Sequence, residues 1–333
     1  MSFATKLALI GSFATSALAH GLVSGFVTDG TYNQGFLLDY YYAKVNGQAV
    51  PDIASWSAEN LDNGFVDGSS YTAADIICHK NAEPGKITAK VAAGGTVEFQ
   101  WTVWPDSHFG PVFTYIASCG DDCSTVDKTA LKWIKIDEAG IDLDTQEWAA
   151  TKLIANNNTW VTTVPESIAP GNYVFRHEII AMHAAGSLNG AQNYPQCANI
   201  EITGSGTELP EGVLGTELYS PTDPGILFNP YTTLTNYTIP GPTLFSGASS
   251  GGSPATSAAV SATSAPAVTS APAAIATSAV VSSVAAVPTT SAVEETPAAT
   301  STAPVATATP STPVTCGSKR KVRRHARDIS KKM

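Results

Sequence analysis

Apolar and polar residues alternate along two segments of the chain, 97–103 (VEFQWTV) and 173–179 (YVFRHEI). Such alternation is typical of a β-strand that buries one face. Shorter strand-like segments lie at 87–91, 131–136 and 200–203, separated by clusters of Gly, Pro, Asn and Asp. No long segment shows helical periodicity. The pattern predicts an all-β fold, an antiparallel immunoglobulin-like or fibronectin-like β-sandwich with long loops.

The first 19 residues have the organisation of a secretory signal peptide. Lys6 precedes the apolar segment 7–18, and Ala-Leu-Ala occupies positions 17–19. The apolar segment is too short to cross a membrane. Cleavage after residue 19 would make His20 the first residue of a soluble, secreted, extracellular protein with no membrane partner.

Composition changes after residue 245 and divides the chain into a folded domain, 20–245, and two further segments. Residues 246–315 are almost entirely Ala, Ser, Thr, Pro and Val without an aromatic residue, which predicts a disordered, O-glycosylated linker. Residues 316–333 form a basic C-terminal tail with eight Lys and Arg residues and one acid. Proteolytic removal of the tail, attraction to anionic cell-wall material and no role at all remain open.

The folded domain is strongly acidic, with nine Lys and Arg residues against 25 Asp and Glu residues, a formal charge of −16. This charge argues against a nucleic-acid partner, since phosphate binding needs a basic face. In an oxidising compartment, four of the five cysteines are expected to pair, with three connectivities possible. These four are Cys78, Cys119, Cys123 and Cys197, and Cys316 is left over.

Histidines are the strongest candidates for chemistry. At a processed N-terminus, His20 offers two nitrogen donors, the α-amino group and ring Nδ1, which together can chelate a metal. A second imidazole would complete a T-shaped set of three nitrogens, which suits Cu(II) better than Zn(II). His108 is the best candidate, because it lies in a turn-rich loop after the predicted strand. His177 lies within a predicted strand and is expected to be structural.

Several motifs, in this order, resemble the fungal lytic polysaccharide monooxygenases of auxiliary activity family 9, formerly glycoside hydrolase family 61. They begin with His20-Gly21 and continue with WTVWPDSHFGPV (101–112), YVFRHEIIAMHAA (173–185), GAQNYPQC (190–197) and YSPTDPGI (219–226). The resemblance covers nearly the whole folded domain. It implies a catalytic copper monooxygenase domain at 20–245.

The resemblance also implies a role for particular residues. Copper would be held by His20 and His108, with Tyr194 as the axial oxygen. His183 and Gln192 match the pair that hydrogen-bonds the oxidant, and Tyr219 matches an exposed aromatic that lies on the sugar chain. The implied disulfides are Cys78–Cys197 and Cys119–Cys123.

The implied activity is oxidative cleavage of β-1,4-glucan, cellulose above all, at C1 and/or C4. It would require one copper ion per chain, O2 or H2O2, and an external electron donor, either a small reductant or a secreted dehydrogenase. The protein is expected to act as a monomer. Asn157 and Asn236 lie in N-glycosylation sequons.

Two alternatives belong to other functional classes. A secreted copper-binding protein would keep the metal ligands without oxidative chemistry. Replacement of His183 discriminates, because lost turnover with retained copper affinity would support the enzyme, whereas unchanged turnover would argue against the proposed role of His183. A hydrolytic endoglucanase would use two carboxylates and release unoxidised sugars without a reductant. The 25 acids permit such a pair, but no short motif marks one.

Overall fold

The computed structural model describes residues 21–60 and 64–248. The predicted signal peptide, His20, most of the linker and the basic tail with Cys316 lie outside these residues, so the predictions for them stay predictions. No helix among the described residues is both long enough and apolar enough to cross a membrane.

Strands dominate the described chain, and the helices are short. The strands are β1 (Val23–Thr28), β2 (Thr31–Gln34), β3 (Val66–Asp67), β4 (Ala89–Ala92), β5 (Thr96–Trp101), β6 (Val112–Gly120), β7 (Lys132–Ala139), β8 (Ile141–Asp142), β9 (Glu147–Trp148), β10 (Thr159–Thr163), β11 (Gly171–Ala181), β12 (Gln192–Thr203) and β13 (Val213–Leu214). The α-helices are α1 (Leu38–Val45), α2 (Asp75–Cys78) and α3 (Ala149–Ala155). Single 3-10 turns lie at Gly68–Ser70, Cys123–Thr125, Lys128–Ala130 and Gly215–Glu217.

Two sheets form a β-sandwich, as predicted. The smaller sheet has the order β10-β5-β1-β2 and is antiparallel. The larger has the order β13-β7-β6-β11-β12-β3, with β4 added parallel to β12. The core between the sheets contains Phe26, Phe99, Phe175 and Ile200.

β5 confirms the alternation seen in the sequence. Its apolar residues Val97, Phe99 and Trp101 are buried, and the residues between them are only partly buried. The strand ends at Trp101, so the last two residues of the predicted segment lie in the following loop. Val103 in that loop is 72% exposed.

β11 does not fit the prediction of a strand with one buried face. Every residue from Tyr173 to Ala181 is buried, including Arg176, His177 and Glu178. The reason is a second apolar cluster on the outer face of the larger sheet, where α2 and the long loops cover it. Because β11 is also paired on both edges, with β6 and β12, it is enclosed from every side.

Both disulfides implied by the resemblance are present. Cys78–Cys197 joins the end of α2 to β12, with Cα atoms 5.4 Å apart. Cys119–Cys123 closes a short loop after β6.

Candidate metal centre

The loop after β5 places His108 at one end of the sandwich. The indole nitrogen of Trp104 donates to the His108 carbonyl (2.9 Å), and the His108 amide donates to the Pro105 carbonyl (2.9 Å). Ring Nδ1 of His108 lies 3.1 Å from Ser107 Oγ. Since Nδ1 is engaged by its neighbour, Nε2 is the nitrogen suited to a metal.

Two elements of the larger sheet bring further candidates to His108. His183 follows the end of β11, and its ring centroid lies 4.3 Å from that of His108. Tyr194 lies near the start of β12, with its ring centroid 6.4 Å from His108. The antiparallel pairing of Ile179 with Tyr194 holds these two strand ends together. The structure thus brings together residues that are up to 86 positions apart in the chain.

Gln192 and Tyr194 share one face of β12, because residues two apart in a strand point the same way. The Tyr194 hydroxyl donates to Gln192 Oε1 over 2.9 Å. The Tyr194 ring is buried between Phe65, at 6.2 Å, and Trp104, at 4.9 Å. These contacts fix the orientation of the Tyr194 ring beside His108.

The first described residue, Gly21, lies against the same tryptophan. A Cβ atom at Gly21 would be 3.0 Å from the Trp104 ring and 3.0 Å from Thr102 Oγ1. The Leu22 amide donates to Thr102 Oγ1 (3.1 Å), and the Thr102 amide donates to the Leu22 carbonyl (2.9 Å). The residue that follows His20 in the sequence is therefore held one side chain away from His108 and Tyr194.

The described residues do not complete a metal site on their own. Within 21–60 and 64–248, no three His, Cys, Asp or Glu side chains group in a way that could hold a metal ion. The described part supplies an imidazole and a phenol oxygen, a borderline set without thiolates. Such a set fits copper if two more nitrogens come from His20.

Tyr219 corrects the sequence analysis. Its side chain is only 7% exposed, and its hydroxyl bonds to Tyr115 (2.8 Å) and to Glu178. Burial and the Glu178 carboxylate raise the pKa of this phenol well above its ordinary value. A ring enclosed in this way cannot lie on a sugar chain, so the predicted sugar-binding role of Tyr219 is wrong.

Tyr231 has the exposure that was expected of Tyr219, and sequence reasoning missed it. Its side chain is 72% exposed, and its hydroxyl donates to the His183 carbonyl over 2.8 Å. The ring packs edge-on against Phe109, the residue after His108. Both tyrosines lie in loops rich in Pro and Thr, so no local signal distinguished the buried one from the exposed one.

Other predicted residues lie away from the centre or do not take part in it. His177 is buried, stacks on Phe99 at 4.1 Å, and contacts Thr114 Oγ1 through Nδ1 at 3.0 Å, which confirms a structural role. Asn157 and Asn236 are exposed, as a glycan site must be, and their glycosylation stays a prediction.

Comparison with known proteins agrees with this arrangement. The model of Auxiliary Activity family 9 (formerly GH61) matches residues 20–238. The AA9 family lytic polysaccharide monooxygenase cel61B of Hypocrea jecorina is 56% identical over 244 residues, which cover 72% of this chain and 98% of that protein.

Solved structures give the same result. The glycoside hydrolase family 61 member Cel61B from Hypocrea jecorina has a TM-score of 0.67 at 57% identity, covering 68% of this chain and 100% of that one. A cellulose-active polysaccharide monooxygenase from M. thermophila has a TM-score of 0.58 at 30% identity, covering 68% and 99%. The chain therefore belongs to Auxiliary Activity family 9, the family of these lytic polysaccharide monooxygenases.

Proposed function

We propose that this chain is a secreted, copper-dependent monooxygenase that cleaves the β-1,4-glucan of cellulose at C1 and/or C4. One copper ion would be held by the α-amino nitrogen and Nδ1 of His20 and by Nε2 of His108, with the Tyr194 oxygen as a further ligand. When bound, copper supplies one-electron chemistry with O2 or H2O2, which the side chains themselves lack. The electron comes from an external donor.

The observation that carries the proposal is the position of Gly21 beside Trp104. The Trp104 ring also contacts His108 and Tyr194, so Gly21 packs on the same tryptophan as these two proposed ligands, which supports a ligand role for the residue that precedes it in the sequence. After signal-peptide cleavage that residue would carry the free α-amino group. Its pKa of about 7.7–8.0 allows loss of the proton to a metal near neutral pH.

The neighbouring side chains have separate tasks in this proposal. His183, whose ring centroid lies 4.3 Å from that of His108, would donate a proton to the oxidant. Gln192 Oε1 accepts a hydrogen bond from the Tyr194 hydroxyl, which orients the phenol oxygen. The buried Tyr194 ring excludes water from one side.

The surface beside the centre suits a polysaccharide. Val103 and Tyr231 are each 72% exposed, and Leu188, in the loop between His183 and Gln192, is 59% exposed. An exposed tyrosine ring provides a face on which a sugar ring can stack. Cellulose is the proposed substrate, since a 30% identical relative is described as cellulose-active.

The direct test is mass spectrometry of soluble products from amorphous cellulose, using copper-loaded secreted protein with and without ascorbate. We expect oligosaccharides with aldonic-acid or 4-keto masses only when ascorbate is present. The His108→Ala variant is the control, since it removes one copper ligand. Unoxidised products without reductant, insensitive to EDTA, would instead indicate a hydrolase, and copper binding without products would indicate a copper-binding protein.

A further inference from the structure

Asn193 lies between Gln192 and Tyr194 on β12, and its side chain points to the opposite face. It is fully buried in the outer apolar cluster, and nothing in the proposed chemistry uses it. Its amide nitrogen donates to Glu178 Oε1 (2.8 Å), and its Oδ1 accepts from the Tyr71 hydroxyl (2.7 Å). Two residues from other elements thus hold this side chain from both ends.

Glu178 is itself held by a buried ion pair with Arg176. The guanidinium donates to both carboxylate oxygens, over 2.7 and 2.9 Å, and both side chains have no exposed surface. Arg176 also donates to the carbonyls of Ile76 and Ile77 in α2, over 2.9 and 2.7 Å. The network is therefore attached to α2 through Arg176 and to β12 through Asn193. The disulfide between Cys78, at the end of α2, and Cys197 of β12 joins these two elements directly.

A buried ion pair is a costly way to fill an interior, because both charges lose their hydration. An apolar cluster of equal volume would fill the space with less desolvation, but it would not specify one orientation of Asn193. Hydrogen bonds with fixed donors and acceptors do specify it. Because a slip of one residue turns every side chain of a strand to the other face, fixing Asn193 also fixes Gln192 and Tyr194.

We propose that Asn193 and Tyr71, with Glu178 behind them, are positioning residues that set the Tyr194 hydroxyl and the Gln192 amide at the copper centre. This inference rests on the proposed function for the role of Tyr194. The network acts on the centre from the opposite face of β12 and touches neither substrate nor metal.

Two tyrosines of the network provide a matched pair of variants. Tyr71→Phe removes the hydroxyl that bonds to Asn193. Tyr115→Phe removes the hydroxyl that bonds to Tyr219, on the other side of Glu178 from Asn193. Both are buried, and each variant deletes one hydroxyl oxygen from the same network. A merely structural role predicts the same effects for both.

The readouts are thermal unfolding, amide hydrogen exchange of the metal-free full chain, and the Cu(II) electron paramagnetic resonance spectrum after copper loading. Both variants should lose similar thermal stability. Only Tyr71→Phe should speed exchange at residues 192–194, by about tenfold, the factor for loss of one buried hydrogen bond. Only Tyr71→Phe should alter the copper spectrum. Asn193→Ser, which withdraws the amide from both partners, should change both readouts further in the same direction.

Unchanged exchange at residues 192–194 in Tyr71→Phe and Asn193→Ser would overturn the proposal. Equal changes in Tyr71→Phe and Tyr115→Phe would overturn it too, because they would show a general loss of packing. The exchange measurement needs no copper. If the variants exchange faster at residues 192–194 but the wild-type protein binds no copper, the proposed function is disproved. The conclusion that the network holds this end of β12 in place would still stand.

Discussion

At the scale of single residues, His177 and His183 show how surroundings decide what a histidine does. They are six positions apart, at the middle of β11 and just beyond its end. His177 is enclosed between the sheets, where burial lowers its pKa to about 3. His183 lies beside His108 at the end of the sandwich. His177 is kept neutral within the packed core, whereas His183 lies where the proposed function assigns it a role as a proton donor.

The lowered pKa of His177 predicts a dependence of stability on pH. The folded protein leaves His177 neutral, whereas the unfolded chain takes up a proton below about pH 6.5. Above that pH, the contribution of His177 to the free energy of unfolding should therefore be constant. As the pH falls from there toward 3, the free energy of unfolding should decrease by up to about 1.4 kcal/mol per pH unit.

Denaturant unfolding of the wild type and His177→Gln, from about pH 7 to about pH 4, measures this contribution. Glutamine can still bond to Thr114 but does not titrate in this range. The wild type should lose more stability than the variant as the pH falls. Parallel curves for the two proteins would contradict the prediction.

His183→Ala should retain copper affinity and lose turnover on cellulose by about 10²-fold, the contribution typical of a positioned proton donor. The physical reason is that His183 lies beside the proposed ligand His108 without being one of the ligands. Copper titration calorimetry and reductant-dependent product formation measure the two properties. His108→Ala is the comparison, since it should lose copper affinity itself. Full turnover in His183→Ala would remove the proposed role.

At the scale of elements, β11 and β12 connect the centre to the rest of the fold. They pair over their whole length, from Gly171↔Ile202 to Ala181↔Gln192, and the candidate residues lie at one end of this pair. The residues at these strand ends are held in well-defined positions because β11 is central in the larger sheet and covered on both faces. Rigid strands hold a site more precisely than loops do.

The two disulfides should differ in their contribution to stability. Cys78–Cys197 joins residues 119 apart, whereas Cys119–Cys123 joins residues four apart. Since a longer closed loop restricts the unfolded chain more, replacing the first pair by alanines should cost roughly 3 kcal/mol more than replacing the second. Chemical denaturation of the two double variants measures the difference. Equal losses would show that chain entropy does not dominate here.

At the scale of the whole molecule, the proposed centre depends on processing as well as folding. A variant that retains one additional residue before His20 would have an amide in place of the free α-amino group. It should fold normally and bind copper at least tenfold more weakly, because a chelate ring is lost. Melting temperature and copper calorimetry test this, with the same residue added at the C-terminus as the control. Undiminished affinity would exclude the α-amino group as a ligand.

The sequence by itself determined the sandwich, the strand at β5 and the paired cysteines, with the disulfide partners coming from the family resemblance. It pointed to His108 directly and, through the family resemblance, to His183, Gln192 and Tyr194; the structure brings these four residues together. These features depend on local periodicity, turn residues and motif order, all of which can be read along the chain.

Only the tertiary structure decided that β11 is buried on both faces, that Tyr219 is enclosed and that Tyr231 is exposed. In each case the deciding contacts come from distant parts of the chain: Tyr219 meets Tyr115 across 104 positions, and Tyr231 meets His183 across 48. The local alternation of apolar and polar residues predicts that a polar residue such as Glu178 faces the solvent. It becomes an interior residue when remote partners satisfy its charge, and such partners exist only in the folded chain.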